Sequence, residues 1–372
     1  MQTPADEKEL AEIVRRGKPI HAVGSGTKRH HGPSAAKDAE ELCLLRLAEI
    51  TSHEPGDLVV SVRAGCRLSD LQRELGKHGQ WLPLDPPYPD ATIGGILATN
   101  SSGPRRFAYG TARDLLIGLR VMGSDGGITR SGGKVVKNVT GFDLHKLHVG
   151  AFGSLGVLLE ANFKLRPKPE ISAALVFPCD TIREAHELLL KVFDSKLRPV
   201  ALEALDGRFK HIIEGNAVAI VGVEGTRPVL DRHYRELKEL GRKMAYLEGE
   251  RAEPIWTALR KLPDMFKDSV RVRIGARPHE LPKVLPDAPM TIQAGTGLAR
   301  VDLEPGPDVG RKVRQWWDKA SQVGGYAVVE SAPPELADRE KLPWAIPGMT
   351  LQRGLKDARD PKKILNPGRM VV

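Results

Sequence analysis

The sequence predicts an α+β protein of two domains, and three observations carry that expectation. The chain has 372 residues, more than the roughly 150–250 over which a single hydrophobic core usually grows. From residue 172 onward, apolar runs of strand length and amphipathic helical stripes follow one another as β-α-β-β-α-β, the order of a ferredoxin-like unit. Ahead of that pattern, Arg166-Pro167-Lys168-Pro169 interrupts the periodicity in the manner of a domain boundary. The expected division is a first domain over 1–168, an α+β second domain over 169–350, and a tail over 351–372.

Taken in order, Leu10, Ile13 and Val14 form one stripe of a helix over Glu7–Arg16, stopped by Gly17-Lys18-Pro19. Pro19–Val23 reads as a strand leading into the loop Gly24-Ser25-Gly26-Thr27, and Leu58–Arg63 as another strand. Leu68, Leu71 and Leu75 mark a helix that ends near Gly79. Asp85–Gly110 is rich in Pro, Gly, Thr, Ser and Asn and is expected to be ordered loop. Leu115–Met122 and Ile128–Arg130 flank the turn Ser124-Asp125-Gly126-Gly127 as a hairpin, and Val157–Leu165 is a further strand. In the second domain the strands are Ser172–Phe177, Val200–Ala204, Ala217–Val223 and Ala245–Leu247, with helices over Thr181–Phe193 and Pro228–Leu240. A looser continuation has strands near 270–274, 290–294, 299–303 and 326–330, and a helix carrying Val309, Val313 and Ala320.

Composition narrows the function. Lys plus Arg exceed Asp plus Glu by 56 to 47, a net charge of +9, yet the basic residues are scattered and lack the aromatic interleaving of a single-strand groove. Nucleic-acid binding is therefore disfavoured. The three cysteines, Cys43, Cys66 and Cys179, have no metal or disulfide spacing, which leaves no cluster or zinc site within the chain. The start is acidic and polar, and no apolar run approaches a membrane span. The expectation is a cytoplasmic protein, with peripheral association at the inner face of the membrane as the alternative.

Four segments could carry chemistry. Val23-Gly24-Ser25-Gly26-Thr27-Lys28 follows a strand; its glycines let successive N–H groups approach an anion, although neither a Walker A loop nor a Rossmann fingerprint fits. Thr92–Arg106 alternates small residues with hydrogen-bonding ones, suited to a flat polar ligand lying on main chain, and continues into Tyr109-Gly110-Thr111-Ala112-Arg113-Asp114. The third segment runs from Lys134 through Lys137-Asn138 to Gly156-Val157, and the fourth is the C-terminal Ile364-Leu365-Asn366-Pro367-Gly368-Arg369.

The order and spacing of these segments resemble the FAD-linked oxidases of the vanillyl-alcohol oxidase and para-cresol methylhydroxylase type. SGPRR at Ser102–Arg106, YGTARD at Tyr109–Asp114, KNVTGFDL at Lys137–Leu144 and ILNPGR at Ile364–Arg369 carry the resemblance. Within the family the match is most similar to the FAD-binding subunits of 2-hydroxy-acid oxidases of the glycolate type. The resemblance implies a two-lobed FAD domain followed by a ferredoxin-like cap. It places the pyrophosphate on Val23, Gly24, Ser25, Gly26, Thr27 and Lys28. Ribityl and flavin fall on Thr92, Gly94, Gly95, Asn100, Ser101 and Gly103, the adenine side on Gly156 and Val157, and the tail from Asn366 to Arg369 folds back toward the flavin. Further cofactor contacts fall on Pro86, Arg106, Tyr109, Gly110, Lys137 and Asn138. It also implies a small 2-hydroxy-acid substrate, a second FAD-containing subunit and an iron–sulfur subunit.

Two departures from the family pattern qualify that picture. Relatives that bind flavin covalently have a histidine where Lys28 aligns, so the FAD is expected to be non-covalent. Relatives that oxidise hydroxy acids carry a His-containing, Gly-rich metal motif whose counterpart here is Gln293-Ala294-Gly295-Thr296-Gly297-Leu298-Ala299-Arg300. Amide and guanidinium are poor ligands for a divalent transition metal, so no metal site is expected. A hydroxy acid needs a cation for its carboxylate, for which Arg105, Arg106 and Arg300 are candidates, and a base, for which His145 and His148 are weak ones. Rival readings are a self-sufficient flavoenzyme acting on a hydroxy acid or alcohol, a non-catalytic scaffold subunit, and a basic binding protein.

Overall fold

A computed structural model describes residues 1–134, 141–207, 215–262, 268–333, 336, 342, 344 and 348–370. The chain folds into two compact units, one of residues 1–102, 110–168 and 345–372 and the other of residues 103–109 and 169–344. The chain thus passes from the first unit into the second at 103 and returns at 110, well before the Pro-rich break.

In the first unit, helix α1 (Glu7–Arg15) starts where the Asp6 carboxylate accepts from the N–H groups of Lys8 and Glu9, both at 2.9 Å, and it buries Leu10, Ile13 and Val14. Strands β1 (Ile20–Val23) and β2 (Glu40–Cys43) pair in parallel. Then come β3 (Ile50–Glu54), β4 (Val59–Arg63), α2 (Leu68–Gly76), β5 (Gln80–Trp81), α3 (Ile93–Thr99), α4 (Arg106–Tyr109), α5 (Ala112–Leu115), β6 (Leu116–Met122), β7 (Ile128–Gly132), β8 (Val157–Lys164) and β9 (Arg166–Pro167). Of these, α4 lies in the excursion that belongs to the second unit. The main sheet is antiparallel, in the order β3-β4-β8-β6-β7. Successive residues of β8 feed different cores: Leu158 and Phe163 join a cluster with α2 and α3, whereas Val157 and Leu159 join one with α1, β1 and β2. Those two clusters give the unit its two lobes.

The expectation of loop throughout 85–110 is corrected: this stretch holds α3 and α4. Helix α3 is too short for its period to be read, but it is well specified. The Thr92 hydroxyl accepts from Gly95 N–H at 3.2 Å, Ile93, Ile96 and Leu97 are buried, and Asn100 ends the helix at φ +47°.

In the second unit the elements are β10 (Ile171–Cys179), α6 (Ile182–Phe193), β11 (Ala201–Asp206), β12 (Ala217–Gly225), α7 (Arg227–Lys238), β13 (Ala245–Glu248), α8 (Glu253–Lys261), β14 (Val270–Gly275), α9 (Leu281–Val284), β15 (Met290–Gln293), β16 (Leu298–Leu303), α10 (Val309–Ser321) and β17 (Tyr326–Ser331). They form one antiparallel sheet in the order β13-β10-β12-β11-β15-β16-β14-β17. The first half is the expected β-α-β-β-α-β unit, and the continuation that looked looser in sequence repeats the same topology from β14 to β17. The halves meet as mirror-ordered partners at β11 and β15, where Glu203 stands opposite Gln293. The periodicity of the second copy is hard to read because its first helix, α9, has only 4 residues. Helix α11 (Met349–Arg359) then opens the tail of the first unit. Among the described residues no helix is long and apolar enough to cross a membrane.

Candidate functional site

In the first unit a cavity lies between the two lobes. Its floor is the loop after β1, from Val23 through Gly24, Ser25, Gly26 and Thr27 to Lys28. Gly26 takes φ +73°, a conformation a side chain would strain, and a Cβ on Gly24 would fall 2.1 Å from the Thr92 hydroxyl oxygen and displace the helix cap. Thr92, Gly94 and Gly95 line the wall at the start of α3; Gly156 and Val157 line it at the start of β8.

The C-terminal tail closes the cavity. Ile20 N–H donates to Ile364 C=O and Asn366 N–H to Ile20 C=O, both at 2.8 Å, so the tail runs beside β1. The Asn366 side chain accepts from Ala22 N–H at 2.8 Å and donates to Phe152 C=O at 2.6 Å. Arg369 donates to the carbonyls of Pro33 (2.8 Å), Arg29 (3.1 Å) and Lys28 (3.4 Å), with its guanidinium 5.1 Å from the Phe152 ring centre. That guanidinium is buried and has only carbonyl partners, and burial pushes its pKa down to about 10. Lys28 is also buried and donates to the Ser101 hydroxyl. His21 lines the same cavity; burial, then the charges of Arg369 and Arg29, hold its pKa at about 4, so it is neutral at pH 7. Buried cations over a glycine-rich backbone form a site for a di-anion.

At the end of α3, Asn100 Oδ1 and Ser102 Oγ are buried without a hydrogen-bond partner, directed polar atoms of the kind a heterocycle satisfies. Ser101 is engaged by Lys28, and Pro86 lies in the preceding loop; Pro86, Asn100, Ser101, Ser102 and Gly110 are not among the residues that line the cavity. Gly103, Arg106 and Tyr109, expected at the cofactor, belong to the second unit, where the Tyr109 hydroxyl donates to Glu224 at 2.9 Å. Lys137 and Asn138 lie outside the described residues. The sequence reading missed His21, Arg29, Phe152 and Gly153. Phe152 and Gly153 stand in the quoted third segment; no sequence signal marks His21.

The expected catalytic residues separate by environment. Arg105 Nε donates to Glu224 at 2.7 Å, with the pair almost wholly buried, and its guanidinium lies 4.3 Å from the Trp256 ring centre. His145 and His148 are buried in the first unit and do not line its cavity; burial lowers both pKa values, that of His148 to about 4. Arg300 on β16 donates to Glu330 at 2.8 Å and to Gln293 at 3.2 Å, and Gln293 donates to Glu203 at 3.1 Å. Among the described residues no group of three His, Cys, Asp or Glu side chains could hold a metal.

The comparisons with known proteins identify FAD as the cofactor. A family model described as FAD binding domain matches residues 2–132. The glycolate oxidase subunit GlcE of Escherichia coli is 29% identical over 98% of this chain and 95% of the relative. The subunit GlcD of Bacillus subtilis is 28% identical over 99% and 87%. A D-lactate dehydrogenase of Archaeoglobus fulgidus is 30% identical over 57% and 48%. Among solved structures, an alkyldihydroxyacetonephosphate synthase superposes with TM-score 0.69 at 18% identity, over 99% of this chain and 76% of that one, a likeness of fold. Residues 2–132 thus carry an FAD binding domain, and the chain is similar along nearly its whole length to glycolate oxidase subunits. It is an FAD-dependent oxidoreductase.

Proposed function

We propose that the chain is the FAD-binding subunit of a 2-hydroxy-acid oxidoreductase of the glycolate oxidase type, working within a complex. The observation that carries this reading is the joint one: a glycine-rich cavity with buried cations in the first unit, and likeness to a glycolate oxidase subunit along 98% of the chain. FAD, when bound, supplies a two-electron acceptor. The chain's own residues do the rest. Gly24 to Lys28 offer N–H groups and one ammonium to the pyrophosphate, Arg369 adds a second fixed charge, and the neutral His21 avoids crowding the site with a third. Asn100 and Ser102 offer an acceptor and a hydroxyl to the heterocycle. Lys28, turned toward Ser101, replaces the histidine that would bond covalently, so the cofactor is held by non-covalent contacts alone.

A complex is supported by what this chain lacks at 293–300. Gln293 and Arg300 are bound to Glu203 and Glu330 and cannot ligate a metal that would polarise a hydroxyl. The three cysteines are far apart in sequence and buried, and provide no one-electron outlet. A second flavin subunit and an iron–sulfur subunit would supply both functions. Purification of the tagged chain from its own cells is expected to bring down one FAD per chain, released into solution by acid, together with a second flavoprotein and an iron–sulfur protein. Flavin that stays on the precipitated polypeptide would overturn the non-covalent assignment. A chain recovered alone and turning over a hydroxy acid with a dye acceptor would replace the complex by a self-sufficient enzyme.

A further inference from the structure

On one face of the second unit's sheet, the cross-strand register brings arginines together. Arg273 on β14 stands directly opposite Arg300 on β16, and Arg300 stands opposite Thr291 on β15. Gln293 lies two residues along β15 from Thr291, hence on the same face, and opposite Glu203 on β11. Like charges paired across a ladder disfavour the fold. Glu330 on β17 offsets part of that cost, holding Arg300 at 2.8 Å and lying 3.7 Å from Arg273. A third guanidinium joins them. Arg106 on α4 lies in the field of Arg300 and Arg273, and burial followed by those two charges lowers its pKa. Arg106 makes no hydrogen bond or ion pair among the described residues, and Arg273 Nε is buried with no partner.

Among the described residues, three guanidiniums at this cluster face two carboxylates, Glu330 and Glu203, and Glu203 is already engaged by Gln293. Arg300 is not the open member: burial works against its charge, but Glu330 first and then Glu203 and Tyr326 together raise its pKa. It serves as a fixed anchor. The donors left over are the planar fork of Arg106 and the Nε of Arg273, together able to match a carboxylate. The Arg273 guanidinium is 5.5 Å from the Tyr326 ring centre, which orients its plane.

We propose that Arg106 and Arg273, braced by Arg300 and Glu330, form a metal-independent binding site for the carboxylate of a small 2-hydroxy or 2-oxo acid. The site rests on the hydroxy-acid reading above and deepens it, since it names the recognised group and the residues that recognise it. Here the electrostatic duty that a divalent ion would perform is carried by guanidinium groups, which cannot lose their charge at physiological pH.

The test is calorimetric titration of the FAD-loaded chain with oxalate, a two-carbon acid that cannot be oxidised as a hydroxy acid, in buffer containing a chelator. Inorganic phosphate at equal ionic strength is the control. The expected result is saturable oxalate binding that the chelator leaves unchanged and that exceeds phosphate binding. Arg106→Gln should weaken it by about tenfold or more, with flavin absorbance per chain and melting temperature as in the parent. Arg273→Lys, which keeps the charge but loses the fork, should weaken it as well. Oxalate binding that is the same in both variants, or that requires a metal, or that phosphate matches, overturns the site. The hydroxy-acid reading fails separately: it is lost if no complex containing the chain oxidises any such acid, whatever oxalate does.

Discussion

Lys356→Met is expected to destabilise the first unit by about 3–5 kcal/mol, the cost of leaving one partner of a buried ion pair uncompensated, and to empty the FAD site with it. Lys356 on α11 donates to Asp360 at 2.5 Å, to Ser154 C=O at 2.7 Å and to Leu365 C=O at 2.9 Å. Asp360 has no exposed surface and also accepts from the N–H groups of Ile364 (3.0 Å) and Leu365 (2.8 Å). The pair therefore folds the end of α11 back so that Asn366 and Arg369 reach the glycine loop. With methionine in place, a carboxylate and two carbonyls are left buried, and the tail has lost its brace. Denaturant unfolding should show the loss of stability, and flavin absorbance of the purified variant should fall well below one FAD per chain. A variant of parental stability and full FAD content would remove the tail from the cofactor site.

Arg105→Met is expected to cost a similar amount, about 3–5 kcal/mol, but in the second unit and with no specific effect on acid binding. Glu224, its partner, is 1% exposed at its side chain and also accepts from Tyr109 at 2.9 Å and Ser172 at 3.2 Å. Removing the guanidinium leaves that carboxylate buried with only two neutral donors, and Trp256 loses the cation stacked on its ring. The contrast with Arg106 is the informative part. Neighbours in sequence, the two arginines separate into one that loses stability when replaced and one that loses ligand. Thermal unfolding beside oxalate titration of both variants resolves them; a stable Arg105→Met protein with weakened oxalate binding would reverse the assignment.

That contrast also shows where the sequence was informative. The glycine loop at 24–26 and the tail at 364–369 were legible because backbone approach to an anion demands glycine, and because turn and tail residues sit in contiguous segments. Strands β10 to β13 and their helices were legible because each runs long enough to show its period. Helix α3 was not, since its Gly-Gly pair and 7-residue length hide the period behind loop composition. Arg273 and Glu330 carried no signal: they join Arg300 through the pairing of β14, β16 and β17, elements spread over some sixty positions. Arg105 and Arg106 looked equivalent because only burial and partners distinguish them.

Anaerobic addition of glycolate or D-lactate to the FAD-loaded chain, followed by flavin absorbance, tests most directly whether this subunit depends on others. With Gln293 and Arg300 locked in hydrogen bonds and no metal ligand set among the described residues, the lone chain should bind the acid and keep its oxidised spectrum. The same acid should bleach the flavin once the co-purified partner subunits are present. Rapid bleaching of the lone chain by either acid would contradict partner dependence, and an unbleached complex would contradict hydroxy-acid oxidation itself.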